Sequence, residues 1–273
     1  KFKGSLELHD TFGIFFIVKN ILNLYIFKII FMNCYTIYNN RYITFCFLFI
    51  ILFFLPNNVR SHPQDYIKFE YIEMEILRDG KTIGYSNYFF DYKDQILYVK
   101  NETRFEVKLL GVKVFSINSK GTEKYDKNKL LSFNSETFQN EKRKFVNLKF
   151  DENKKKLNIT GSSFTGDASL NNIVGNWWNH DILQKDSQIS PLSGSIKKQI
   201  VSFIGIENIL IDNKEYQTEH YKLKSKDPNT DENKKLNFDI WYNKQENLIL
   251  KIEYNKMGIW EYKVVNFKKK LNT

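Results

Sequence analysis

Apolar and polar residues alternate one by one through most of this chain, and that period limits it to strands. In 236–242, Leu236, Phe238, Ile240 and Tyr242 interleave with Asn237, Asp239 and Trp241. Successive side chains of a strand point to opposite faces, so such a segment buries one face and wets the other. Val146, Leu148 and Phe150 alternate with Asn147 and Lys149 in the same way. Turn formers divide these segments at short intervals. Asp79-Gly80 separates 69–78 from 82–92 and is the strongest hairpin signal, because both positions of such a turn need positive φ. Further strands are expected at 95–109, 112–125, 130–139, 144–150, 156–161, 196–211, 215–224, 236–243, 248–254 and 259–267. The sum is an all-β fold, a single antiparallel meander of about twelve strands. Open twisted sheets rarely exceed about ten strands, so this one is expected to curl into a barrel or half-barrel.

One stretch breaks the pattern. Residues 162–195 carry Gly166, Gly175, Pro191 and Gly194 and contain Trp177-Trp178-Asn179-His180. Ile173, Val174, Trp177, Trp178, Ile182 and Leu183 fall at helical spacings, which predicts a long loop or short amphipathic helix covering one end of the barrel. The Asp/Asn/Lys-rich 225–235, with Pro228, reads as a solvated loop tip.

The beginning of the chain has a different composition. Residues 1–61 hold 11 of the 24 Phe, both cysteines (Cys34 and Cys46) and only Glu7 and Asp10 among 31 acids. The uncharged run ITFCFLFIILFFL opens at Ile43, closes at Leu55 and is 13 residues long. A membrane-spanning helix needs about 20 apolar residues. Arg41 precedes the run, Pro56 ends it, and Val59 and Ser61 stand at the two small-residue positions a signal peptidase reads. That layout predicts a signal peptide over 32–61, cleaved after Ser61, with translation starting at Met32 and 1–31 an upstream extension. The alternative is a retained membrane anchor from Ile43 to Leu55. Cys46 sits too early in the run for a lipid attachment site. The abundance of Lys, Asn, Ile, Phe and Tyr suggests an A/T-rich bacterial genome, so the expected destination is periplasmic or secreted. The domain is then 62–273.

That domain has 35 Lys and Arg against 29 acids and no cysteine. It lacks a glycine-rich phosphate loop, a G-x-S-x-G elbow and an H-E-x-x-H pair, and His62, His180 and His220 stand at no ligand spacing. No cofactor, metal site or catalytic residue is therefore expected. Its only arginines are Arg78, Arg104 and Arg143, and its lysines are dispersed, a poor pattern for bidentate phosphate recognition. Nucleic acid is excluded as a partner, and membrane contact is expected to be peripheral at most.

Several short motifs occur in a fixed order: Arg78-Asp79-Gly80 with Ile83-Gly84, Trp178-Asn179, His220-Tyr221, Trp241-Tyr242-Asn243, and Gly258-Ile259-Trp260-Glu261-Tyr262. In that order the chain resembles a family of exported Gram-negative proteins defined as a domain of unknown function. The family pattern carries Asp where this chain has Asn243. The resemblance extends in outline to lipocalin-like and lipoprotein-carrier-like β proteins, and it implies a curved sheet without supplying an activity.

The expected function is non-catalytic binding of an apolar or lipid-like molecule in a cavity lined by the domain's 13 Phe, 12 Tyr and 4 Trp. Candidate ligand-binding residues are Trp177, Trp178, Asn179, His180, His220, Trp241 and Tyr242. The alternative is a structural module with a packed core that meets another envelope protein. A third reading, an enzyme on an envelope polymer, would draw on Glu70, Glu73, Glu75 and Asp239.

Overall fold

The computed structural model describes residues 63–232 and 234–270. The predicted signal segment and its cleavage point lie outside them. A single 3-10 turn, Pro63–Tyr66, leads into β1 (Phe69–Arg78), β2 (Lys81–Lys93), β3 (Ile96–Leu109), β4 (Val112–Asp126), β5 (Lys129–Gln139), β6 (Lys142–Asp151), β7 (Lys156–Gly161) and β8 (Thr165–Ala168). These form an antiparallel meander. β9 (Ile173–Val174), a 3-10 turn at His180–Gln184 and β10 (Ser187–Ile189) follow. The second meander is β11 (Ile196–Ile211), β12 (Lys214–Ser225), β13 (Asn237–Asn243), β14 (Leu248–Asn255) and β15 (Ile259–Lys269). β15 pairs with β1 and joins the two halves into one 15-stranded sheet with β8 and β9 at its ends.

The sheet curls but does not close. β1 and β2 lie between β3 and β15 in the strand order, yet the rings of Phe105 on β3 and Trp260 on β15 stand 5.6 Å apart. Curvature turns one set of alternating side chains inward. Ile72, Met74, Leu97, Val99, Phe133, Leu148, Ile240 and Ile252 are all buried in one cluster that runs through both meanders. Burying each large apolar side chain contributes about 1.5–3 kcal/mol, which is what holds so long a sheet curled.

All twelve expected strands form. The additional three, β8, β9 and β10, fall in 162–195, where a loop or short helix was expected. Helix is confined to the end of 173–183, because Ile173 and Val174 pair in parallel with Gln188 and Ile189. A side chain at Gly175 would meet Gln188 Oε1 at 2.1 Å, so the buried Gln188 side chain would have to shift. The sole helical turn of the segment, His180–Gln184, is capped by Asn179, whose side-chain oxygen accepts from the Asp181 amide.

The tight turns follow their chemistry. Asp79 and Gly80 have φ of 49° and 74°, as the hairpin signal demanded. On β1, the register to β15 shifts twice, between Phe69 and Tyr71 and between Glu73 and Met74, and the first shift falls before the acids Glu73 and Glu75. It sets Phe69 and Ile72 inward and leaves Glu73 and Glu75 partly exposed.

Candidate inner site around Glu123 and Trp178

The middle of the 162–195 segment enters the curl and packs its interior. Trp178 is 1 % exposed. Its indole makes edge contacts with Tyr66, Phe90 and Tyr125 at centroid distances of 4.9, 5.6 and 5.7 Å. Its Nε1–H donates to Glu123 Oε1 at 2.8 Å. Glu123 comes from β4, where it shares the inward face with Tyr125, and it also accepts from Asn176 Nδ2 at 2.7 Å and from the Tyr125 hydroxyl at 2.6 Å. Burial raises the Glu123 pKa above the ordinary carboxylate value, and its three donors oppose that rise. The carboxylate is thus a clasp. It satisfies the buried N–H and O–H groups that bring the segment inside, at the cost of its own hydration.

Asn179 and His180 belong to the same interior. The Tyr66 hydroxyl meets His180 Nδ1 at 2.5 Å, and the His180 amide donates back to that oxygen at 3.2 Å. The imidazole stacks on Tyr242 at 4.7 Å. Burial lowers its pKa from 6.5 to about 4, so at neutral pH it is uncharged. Trp177 is half-buried against Phe238 and Tyr262, and its amide donates to the Tyr88 hydroxyl.

His220 and Trp241 lie elsewhere. In β13, Phe238, Ile240 and Tyr242 join the inner cluster, whereas Asp239 and Trp241 occupy the other face with His220 and Lys222 of β12. There His220 stacks on Trp241 at 4.6 Å and lies between two carboxylates, Nδ1 at 2.8 Å from Glu207 and Nε2 at 3.0 Å from Asp239. Trp241 Nε1–H donates to Glu207, Lys222 pairs with Asp239, and Lys251 lies over the indole at 4.6 Å. Hydrogen bonds from Trp241 and His220 lower the pKa of Glu207; burial works to raise that of Asp239, but hydrogen bonds from Lys222 and His220 lower it on balance. This is a self-satisfied patch that seals a large ring on the outer face. Among the described residues, no group of three or more His, Cys, Asp or Glu side chains is arranged to hold a metal ion.

The seven candidate residues therefore separate into an inner set (Trp177, Trp178, Asn179, His180, Tyr242) and an outer pair (His220, Trp241). The acids considered for catalysis also have structural partners: Glu70 with Lys268, Glu73 with Asn266, and Glu75 with Thr82. Glu123, Tyr66 and Asn176 were missed. Glu123 was visible as an acid two residues before Tyr125 on an inward-facing register.

Two open clefts border this core. One, of about 520 Å³, lies where the β4–β5 turn meets the inserted segment, with Leu130, Leu157, Ile173, Asn179, Asp181 and Lys185 among its lining. The other, of about 530 Å³, lies over β4–β6 and is more polar, with Lys120, Asn134, Glu136 and Arg143 in its wall.

Residues 74–264 match the family model described as a domain of unknown function, DUF6134. The chain belongs to this family. The matched stretch runs from within β1 to within β15 and includes both the inner clasp and the outer patch. No curated protein matches the sequence. Among solved structures, the chain resembles the crystal structure of a β-barrel-like protein of domain of unknown function DUF1849 from Brucella abortus. The TM-score is 0.51 at 10 % identity, covering 74 % of this chain and 98 % of that one. At that identity the likeness concerns the fold alone, and it agrees with a curled, barrel-like sheet.

Proposed function

We propose that this DUF6134 domain is a non-catalytic interaction module of the bacterial envelope, which captures an extended segment of a partner protein along the free edge of β11. The observation that carries this is the edge itself. β10 covers β11 only at Ile196, Lys197 and Lys198. Beyond the Gln199 amide, which donates to Asp186 O, no described strand pairs with that side. The uncovered stretch exposes Ile200, Phe203, Ile204, Ile206 and Leu210. Natural edges are usually blunted by lysine, proline or bulges; neither lysine nor proline occurs between Ile200 and Ile211, although the register to β12 shifts between Phe203 and Gly205. Lys198 stands at one end of the stretch and Lys214 just beyond the other, which favours a partner strand with an apolar middle and acidic ends. Strand addition supplies main-chain hydrogen bonds, and the exposed Ile and Phe side chains supply apolar contact. This role requires export, and the predicted cleavage after Ser61 supports it.

The filled interior supports an interaction module over a cavity-borne ligand, because Trp178 and its neighbours occupy the space that a lipid chain would need. A second reading rests on the cleft of about 520 Å³, whose size is within the range of small-molecule sites and whose wall combines Leu130, Leu157 and Ile173 with Asn179 and Asp181. In that reading an apolar or lipid-like molecule lies beside the inserted segment, not beneath it.

The test is hydrogen exchange on the full chain with a synthetic peptide of alternating Val and Thr ending in glutamates. The amides of β11 that β12 leaves unpaired should gain protection, and Ile206→Lys should abolish it. No protection of β11 at saturating peptide overturns the reading. So does a concentration-dependent dimer that Ile206→Lys dissolves, which would assign the edge to a second copy.

A further inference from the structure

Two hairpin tips at one end of the barrel place apolar side chains where neither folding nor solubility calls for them. The turns after β1, β3 and β14 all lie at this end, since strand directions alternate across the sheet. In the β3–β4 turn, Leu110 has φ 51° and is 98 % exposed, flanked by exposed Leu109 and Val112. In the β14–β15 turn, Met257 has φ 51° and is 86 % exposed, followed by exposed Ile259. Left-handed backbone favours Gly, Asn and Asp. The described non-glycine residues with positive φ are otherwise all polar or charged: Asp79, Asp94, Gln95, Lys127, Asn140, Glu141, Lys155, Asp212, Asn213 and Asn247. Leu110 and Met257 are thus the two exceptions, and they share one end.

The Met257 tip is held from below. Arg78 Nη2 donates to Met257 O, and Asp79 Oδ1 accepts from the Ile259 amide, so the β1–β2 turn braces the β14–β15 turn. Beneath them a second buried cluster, Ile76, Phe105, Val107, Ile117 and Trp260, forms a solid base. Basic residues neighbour both tips: Lys108, which also pairs with Glu106, and Lys113 flank Leu110, and Lys256 precedes Met257. Apolar points with lysines beside them complement a bilayer with anionic headgroups, where the apolar tips reach the acyl boundary and nearby lysines meet phosphates.

We propose that this end of the barrel docks on an anionic lipid surface, with Leu110 and Met257 as the inserting side chains. The inference is independent of the β11 edge, and Ile206→Lys should leave it untouched. The full chain is mixed with vesicles of phosphatidylcholine, with and without phosphatidylglycerol. Binding should favour the anionic vesicles and weaken with salt. The double variant Leu110→Asn/Met257→Asn should lose about tenfold or more in affinity, the scale of two withdrawn apolar side chains. Its thermal stability should hold or rise, because Asn suits left-handed backbone. Leu110→Trp should add emission that brominated lipid quenches. Unchanged binding by the double variant would overturn the proposal, since attachment would then run through another part of the chain. Emission from Leu110→Trp that stays unquenched while the protein is vesicle-bound would also overturn it. So would a dimer that the double variant dissociates, which would make the partner a second copy.

Discussion

The Trp178 indole N–H donates to Glu123 Oε1 at 2.8 Å, joining the inserted segment to β4 across 55 positions of sequence. The contact couples a large apolar ring to a buried carboxylate, so both sides of it can be tested separately. Glu123→Ala strands the Trp178, Asn176 and Tyr125 donors in the interior. With about 1–3 kcal/mol for each donor left unpaired and some repair by water, the variant should lose roughly 3 kcal/mol of stability, read from denaturant midpoints. Glu123→Gln keeps an acceptor and should cost less.

The same carboxylate predicts a pH slope. Its folded pKa is raised, so between its unfolded and folded values the native state holds more protons than the unfolded one. Stability should therefore fall as pH rises from the ordinary glutamate range through the raised value, and Glu123→Gln should remove that part of the slope. A pH series of unfolding midpoints on the two proteins measures it.

His180 gives the opposite sign. Its pKa drops from 6.5 unfolded to about 4 folded, so the unfolded state binds the extra proton between those values. Its stabilising contribution is complete above pH 6.5 and is lost as pH falls toward 4, reaching about 3 kcal/mol at the acid end. His180→Phe, which retains a ring against Tyr242, should flatten stability over that window in the same titration.

The β1–β2 turn is a local test of backbone chemistry. Gly80 stands at φ 74° with open space around it, so a side chain there meets strain and no collision. Gly80→Val should cost about 1 kcal/mol or more through that strain alone. Gly80→Asn should cost distinctly less. Equal midpoints for Gly80→Val and the parent would contradict the turn geometry.

The strands could be read from the sequence because their signal is local. Leu236, Phe238, Ile240 and Tyr242 declare an inward face without reference to any other segment, and Asp79-Gly80 declares its turn. The inserted segment could not be read, since its conformation is set by distant partners. Ile173 and Val174 have helical spacing to Trp177, but the backbone of β10 claims them, and the Gln188 side chain packs close against Gly175. The candidate residues suffered from the same limit. Alternation placed Trp241 opposite Tyr242 correctly, yet both were assigned to a single site. Glu123 was overlooked because an acid beside Lys124 reads as a solvated face until Asn176 and Trp178 are brought to it.

The central claim is that the curl is packed by its own chain around Trp178. Equilibrium unfolding of Trp178→Ala, paired with tryptophan fluorescence on adding fatty acid or phospholipid, tests it most directly. A solid core predicts a loss of about 3–5 kcal/mol, as large core truncations give, and parent fluorescence that does not report lipid entering the interior. A small stability loss, with a lipid-dependent change in the parent that disappears in Trp178→Ala, would contradict the account and make the segment a lid over a ligand.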